Sequence, residues 1–584
     1  MLPALLLAAE IAPAQEAEEV CPDGRVAEII IDPRPVFDTT GERLDSRFAW
    51  VYRAANSVHS TTRADVIRRE LLVSEGDCYD ADGAADAARQ LRATRFIDEA
   101  EITEETLSNG DHRLIVVTRD EWSKRVEART TSRGGLRLAG VEGREDNLLG
   151  TGQHVSAYYR DTREERIYGA TYATPQLFRT HWDGRLSVAR TRDDGYLLSE
   201  TVGYPFRGEE GRWAFRQHYT HEDRYFSFLA RGEDGTVRIL FPERRREADI
   251  GSIRRFGPRG NQTLLGVSLA GEWAEYPPGV RFEREGIETP EDSVLLASDQ
   301  LRVDSLSTVR IAFLVGQRSV RFVRREALDA VRGTEDVRLG VETQLGVGRS
   351  IPALSTDSDV ALELGLNAAT EFADGVISGG RFRVEGRRDL RSAVFQPGWT
   401  NVFAQADAWT YWRASDRHTV VAAVAGTGGW NTTLPFQLTL GESTGLRGFP
   451  RDYLPASIRV TGSVEARSYL GFPRPELFDL GSVVFVDAGR AWAGEVPYGE
   501  DSRIQVSAGF GLRGAFPAGS RRTYRLDVGF PLLHDHDAGV FRVTLGVGQA
   551  IGKQRVRDDP QIRRSSRGAL SASIFSFPAG EGPR

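Results

Sequence analysis

Arg447 sits in the run Gly441-Glu-Ser-Thr-Gly-Leu-Arg-Gly-Phe449, and further on the chain reads Phe485-Val-Asp487-Ala-Gly489. An arginine in a glycine-rich loop and a lone aspartate in an apolar strand suit an ion pair. The planar guanidinium can take both oxygens of a carboxylate at once. Gly445 and Gly448 would let such a loop turn tightly and approach a wall closely. The alternative is a solvated arginine on an exposed loop.

Two other motifs suggest chemistry and fail on context. Gly441-Glu-Ser-Thr-Gly445 fits the G-x-S-x-G nucleophile elbow. That motif needs a strand before the serine and a helix after it. Here Pro435 and Pro450 bracket a loop, and no helical period follows Ser443. Gly509-Phe-Gly-Leu-Arg-Gly514 fits G-x-G-x-x-G, but Ala515-Phe-Pro517 follows it where a βαβ unit would need a helix. There is no H-E-x-x-H, no phosphate loop, and only nine scattered histidines. The chain reads as a protein without catalytic residues, metal or cofactor.

A net charge of −8, spread along 584 residues without a basic stripe, argues against nucleic acid as a partner. The first residues, Met1 to Ala14, carry a short apolar stretch and an Ala12-Pro-Ala14 site, so residues 1–20 read as a signal peptide, possibly with a truncated start; a frayed apolar tail is the alternative. The only cysteines, Cys21 and Cys78, could form a disulfide in an exported chain or stand as two thiols. No run approaches the roughly 18 apolar residues of a membrane-spanning helix.

Residues 21–125 mix periods. Val26–Ile31 reads as a strand, Ala64, Ile67 and Leu71 as one helix face, and Ala84, Ala87, Ala88 and Leu91 as another; Phe96–Ile102 and Arg113–Thr118 then read as strands. The expectation is a β-α-α-β-β module with a three-stranded sheet backed by two helices. From residue 126 to 551 the helical period is gone. Trp213, Phe215 and Tyr219 alternate with Arg216, His218 and Thr220, and Phe541, Val543, Leu545 and Val547 alternate with Arg542 and Thr544. Turns such as Arg192-Asp-Asp-Gly195 join neighbouring strands.

A soluble sandwich or propeller would bury the apolar face. A membrane barrel turns it to lipid and keeps the polar face inside. Strand lengths near the roughly 9–11 residues of a bilayer crossing, and arginines and aspartates on the second face, favour the barrel. About 400 residues at about 25 per strand and turn predict roughly 16 strands. The predicted fold is therefore mainly β: a 16-stranded antiparallel transmembrane β-barrel behind a small α+β domain.

Several stretches resemble the BamA/TamA superfamily of outer-membrane assembly and translocation barrels, the bacterial surface antigen family. Asn56-Ser-Val-His59, Val66–Leu72, Gly76-Asp77, Tyr79 and Leu91-Arg92 are similar to a single POTRA domain. Glu145-Asp-Asn-Leu-Leu-Gly-Thr-Gly-Gln153 resembles the family's first barrel-strand signature. Leu446-Arg-Gly-Phe449 resembles the motif of its sixth surface loop, and Phe485-x-Asp487-x-Gly489 the strand motif that receives it; Glu465 stands where the family has a lumenal acid. The resemblance implies that the loop folds into the lumen and is locked there by Arg447, Gly448, Phe449, Asp487 and Glu465. It implies polypeptide insertion or translocation in the bacterial outer membrane, with no enzymatic step. The partners implied are outer-membrane lipid, an unfolded client captured in the periplasm by the POTRA-like domain, and a periplasmic accessory protein. A passive pore or structural barrel is the alternative. The seam would lie between Gly140–Tyr159 and Phe541–Ile551. Residues 552–584, rich in Arg, Ser and Gly, read as a disordered tail, with a contact role for Phe575-Ser-Phe577 as the alternative.

Overall fold

The computed structural model describes residues 21–37, 49–132, 136–161, 166–191, 195–232, 235–284, 287–288, 303–390, 398–472, 477–552 and 559–565. The N-terminal apolar stretch, the turn residues 192–194 and the Phe575-Ser-Phe577 run lie outside them.

The periodic faces read from residues 64 to 118 build a small α+β domain. Its elements are β1 (Val26–Arg34), α1 (Ala49–Val58), α2 (Ala64–Glu70), α3 (Ala81–Ala93), β2 (Ile97–Thr106) and β3 (His112–Asp120). The sheet order is β1-β3-β2, with β1 parallel and β2 antiparallel to β3. Val66, Ile67 and Leu71 of α2 and its end, with Ala87 and Leu91 of α3, pack on Ile29, Leu114 and Val116 of the sheet. Asp80 caps α3 by accepting from the Asp82 amide at 3.1 Å. Cys21 and Cys78 are bonded, Cα atoms 5.1 Å apart. The described residues hold three helices here, not two. The additional one, α1, buries only Tyr52, so it leaves no apolar period to read. Tyr52 packs with Val36 and Phe37, and Trp122 and Phe516 close over that cluster.

The alternating segments form one large antiparallel sheet. It begins with six short strands: β4 (Lys124–Ser132), β5 (Leu136–Glu145), β6 (His154–Asp161), β7 (Arg166–Leu177), β8 (Trp182–Arg190) and β9 (Tyr196–Tyr204). Longer ones follow: β10 (Trp213–Gly232), β11 (Gly235–Phe256) and β12 (Asn261–Glu275), then the small pair β13 (Arg281–Arg284) and β14 (Ile287–Glu288), then β15 (Leu306–Glu326), β16 (Thr334–Ser350), β17 (Asp359–Ala373), β18 (Val376–Asp389), β19 (Thr400–Ser415) and β20 (His418–Trp430). A separate hairpin, β21 (Leu438–Leu440) with β22 (Leu454–Ala456), interrupts the run before β23 (Ile458–Tyr469), β24 (Asp479–Trp492), β25 (Gln505–Ala515), β26 (Tyr524–Leu533) and β27 (Arg542–Val547). A last helix, α4, spans Pro560–Ser565.

Each long strand pairs with the next, and the order returns to its start with β27 beside β4. The described sheet has 22 strands, two of them the short β13 and β14, so the expected 16 is too few. The reason is local. Six strands of 8 to 12 residues fill residues 124–204, far denser than a uniform spacing allows. The sheet also starts at Lys124 rather than 126, and β4, not Gly140–Tyr159, is the strand beside β27. Gly140–Tyr159 instead covers the end of β5, a turn and most of β6.

The two faces of the sheet invert the usual sorting. In β15, Arg310 is 1% exposed while its neighbour Ile311 is 47% and Phe313 65% exposed. In β12, Gln262 and Ser268 are buried while Leu265, Val267 and Leu269 are exposed. Buried charges are matched: the Arg310 guanidinium donates to both oxygens of Asp359 at 3.0 and 2.6 Å.

The α+β domain docks on turns at one end of the sheet. In the expected first-strand signature, Asn147 lies in the β5–β6 turn, donates to Thr62 at 2.8 Å and accepts from Gly152. That stretch is therefore a docking turn, not a strand. Gly152 lies against Phe96, where a Cβ would come within 2.7 Å of the ring. Arg521 donates to the carbonyls of Arg92 and Ile97 at 2.7 and 2.8 Å, and Arg522 to those of Trp122 and Arg95. Arg92 reaches both oxygens of Asp336 at the start of β16.

Asp98 of β2 lies in this interface. Burial pushes its carboxyl up to about 7 from 3.8; the Glu121 charge adds to the rise, and Arg119 and Arg521 oppose it. The folded state thus holds the proton more tightly than the unfolded chain. Its stabilising effect is full below about pH 4 and is lost as pH rises toward 7. Asp98→Asn should flatten that fall, shifting the melting temperature by a few degrees near neutral pH. Thermal melts between pH 4 and 8 check it; a slope unchanged by the substitution refutes it.

Candidate functional site: a buried arginine cluster on an inward loop

The connection between β20 and β23 does not stay at the rim. Gln437 exchanges two hydrogen bonds with the backbone of Leu229 in β10, at 2.7 and 3.0 Å. Asp452 pairs with Arg238 of β11 at 3.1 Å. Seven strands of the ring separate β10 and β20 on the β15 side even without the short pair, so the loop reaches across the enclosed side. Counted along the described strands from β4, it is the eighth connection on its end of the sheet, not the sixth.

The loop carries its own apolar core. Leu440, Leu446, Phe449, Tyr453 and Leu454 are buried together with Ala491 of β24 and Ala538. Phe449 and Tyr453 have ring centroids 5.1 Å apart. Gly445 and Gly448 have φ of +103° and +90°, which a side chain rarely adopts. A Cβ on Gly448 would lie 2.8 Å from the carbonyl carbon of Gly529 in β26, so loop and wall touch backbone to backbone.

This contact delivers Arg447 to the wall at 1% exposure. Its Nε and Nη2 donate to the two oxygens of Asp487 at 2.8 and 2.7 Å, and its backbone amide donates to Asp487 at 3.1 Å. Nη1 donates to Glu465, and Nη2 also to Ser463 Oγ at 3.1 Å. The guanidinium carbon lies 3.5 Å over the Phe485 ring. Ser463 and Asp487 are register partners on β23 and β24, which fixes the receiving carboxylate.

The structure thus brings together Arg447, Gly448, Phe449, Asp487 and Glu465. It adds residues that sequence reasoning missed. Arg467 donates to Glu465 at 2.9 Å and to the carbonyls of Leu328 and Ile551 at 2.6 and 2.7 Å. Arg513 donates to Asp527 at 2.6 Å, and Asp527 lies 3.8 Å from Arg447. Three buried arginines meet four buried carboxylates, the fourth being Asp329 at 3.5 Å from Arg467. Register brings them together: Ser463, Glu465 and Arg467 share one face of β23, and Arg513 and Asp527 hold the same face of β25 and β26.

Such a cluster does no bond-making. Burying ions is costly, and their attraction compensates only when every partner is in place. The arrangement ties the loop to the wall through Arg447. Ser443 lies in a short 3-10 turn and donates to the Arg451 carbonyl at 2.8 Å, and Gly509–Gly514 lies within β25.

Of the tail expected over residues 552–584, the described residues 559–565 contain a helix, and the chain just before the tail also makes a defined contact. Gln549 donates to the Asp329 carbonyl at 2.8 Å, and Ile562 and Ser565 of α4 are buried. A polar segment that would be solvated outside finds hydrogen-bonding partners on a polar inner face.

No curated protein matches the chain. Similar solved structures include CdiB from Escherichia coli, at 13% identity over 92% of this chain and 92% of that one, with a TM-score of 0.44. CdiB from Acinetobacter baumannii gives 12% identity over 90% and 74%, with a TM-score of 0.39. BamA from Haemophilus ducreyi lacking POTRA domains 1–3 gives 12% over 90% and 84%, with a TM-score of 0.35. Residues 389–551 match the Omp85 superfamily domain, a family of non-enzymatic outer-membrane transport and assembly proteins. The loop, its receiving carboxylates and the last strand all fall within residues 389–551, the part of this chain that matches the Omp85 superfamily domain.

Proposed function

We propose that this protein is an outer-membrane β-barrel that inserts or translocates polypeptides, with its N-terminal α+β domain in the periplasm. The observation that carries the reading is the inverted sheet, with ion-paired arginines on the inner face and Ile, Phe, Val and Leu outside. In water that outer face would be costly; against lipid it is the stable one. A sheet that returns on itself also leaves no unpaired edge in hydrocarbon. The domain match over residues 389–551 supports the same reading. The N-terminal domain acts as a single POTRA unit. Its β2 edge beyond Ala100 takes client strands by backbone pairing, whereas the β1 edge is already occupied at Val26 and Ile29 by Gly76, Asp77, Glu75 and Arg68. Arg447 latches the loop inside the barrel while no client is present.

Deleting residues 21–122 should lower the amounts of other outer-membrane or exported proteins. A photo-cross-linker at Thr103, on the β2 edge, should capture unfolded chains. An unchanged outer-membrane proteome together with steady ion conductance would instead identify a passive pore.

A further inference from the structure

The segment Asp559–Ser565 is held from opposite sides of the ring. The Asp559 amide donates to Gln405 of β19 at 3.0 Å, and the Asp559 carboxylate pairs with Arg459 of β23. Gln561 accepts from the Thr439 amide at 2.7 Å and donates to the Thr439 hydroxyl at 2.6 Å. On the other side, Arg245 of β11 donates to the Arg564 carbonyl at 3.2 Å. Strands β11 and β19 are far apart in the pairing order, so a segment touching both crosses the enclosed space.

The contacts are of the kind that bind a peptide. An acidic residue meets an arginine, a side-chain amide is paired on both its groups, and Ile562 enters an apolar pocket of Phe403, Phe436, Leu438 and Val496. Ser565 donates to the Pro435 carbonyl at 2.5 Å. The segment therefore binds the same inward loop that Arg447 latches. The two are linked through side chains as well: Arg447 and Arg467 share Glu465, and Arg467 holds the Ile551 carbonyl just beyond β27.

We propose that this inner surface is a polypeptide-binding site and that residues 559–565 are its resident occupant, which must leave for another chain to pass. The proposal rests on the translocation reading above. It adds a named inhibitor carried by the chain itself, with Arg459 and the Phe403–Phe436 pocket as its principal contacts. A passing segment with an acidic residue followed three positions later by an aliphatic one would compete for those contacts.

The test uses the full-length protein in planar bilayers beside a chain ended after Gly552. Removing the segment should raise mean conductance several-fold, and Arg459→Gln should raise it in the same direction. Thr439→Cys with Gln561→Cys should cross-link, because the only native cysteines are already bonded to each other. The oxidised pair should stay at low conductance and rise on reduction, with the unmodified chain under reductant as control. If truncation and Arg459→Gln both leave conductance unchanged, or the cysteine pair does not cross-link, the proposal is overturned. Heat-modifiable migration in gels identifies any variant that has not folded; if the truncated chain fails, Arg459→Gln and the cross-link decide. The outer-membrane proteome separates the two readings. Raised conductance with an unchanged proteome keeps the occupant and sinks the client function. A proteome that depends on the protein, with conductance insensitive to the segment, does the reverse.

Discussion

Arg447→Ala should release the loop from the wall and lower stability by about 3–5 kcal/mol, the usual cost of removing one partner from a buried ion pair. The magnitude belongs at the upper end here. The substitution takes the cation from Asp487 and one of two donating arginines from Glu465, which keeps Arg467; both carboxylates are fully buried. It also removes the guanidinium from the Phe485 ring. The temperature at which the folded gel band converts to the unfolded one should fall, and the loop should become accessible to protease. Asp487→Ala should do the same. The double variant should lose less than the sum, with a coupling of about 0.5–3 kcal/mol, because each single change already breaks the shared contact. Arg447→Lys should recover little, since an ammonium cannot serve both Asp487 oxygens, Ser463 and Glu465 together. Strict additivity, or a wild-type conversion temperature for Arg447→Ala, would show that the latch bears no load.

Gly529→Val should expel the loop with every charge intact. A Cβ at Gly529 would lie 2.6 Å from the Gly448 nitrogen and 2.8 Å from its Cα. These are backbone atoms and cannot swing aside, so the strain exceeds the roughly 1–3 kcal/mol of ordinary overpacking. Either the loop lifts, separating Arg447 from Asp487, or β26 shifts in register. Gly462→Ala is the matched control: the nearest atom to its added carbon is the Ala423 oxygen at 3.9 Å. Protease accessibility of the loop should rise for Gly529→Val and stay unchanged for Gly462→Ala. Equal behaviour of the two would mean that the backbone contact does not place the loop.

The Arg447–Asp487 contact was readable because its central chemistry is written in unusual places: an arginine among glycines, and an aspartate directly after Val-Val-Phe-Val. Arg467, Arg513 and Asp527 were harder to see, because every strand of such a sheet alternates polar and apolar residues. Nothing local distinguishes a cluster member from any other inward side chain; only register does, as when Asp487 falls opposite Ser463. The number of strands was misjudged because hairpin spacing is not uniform, from short strands near β6 to the 22 residues of β11. The C-terminal segment was misread for a different reason. Polar composition predicts solvation only when the alternative is an apolar core. An interior lined by arginine and glutamine can bury Ile562 and Ser565 within a mostly polar stretch.

The meeting of β27 with β4 bears on how the molecule assembles. These strands lie at opposite ends of the sheet's sequence, whereas every other pair of long strands is joined by a hairpin or a loop. Joining distant segments costs more chain entropy than zipping neighbours, so local hairpins form first and this contact comes last. Until then the wall is open along one side. The inward loop and the C-terminal segment can therefore settle against β10, β11 and β19 without being threaded through a finished ring. Nascent chains should then pass through an open-sided intermediate whose inner face is already furnished.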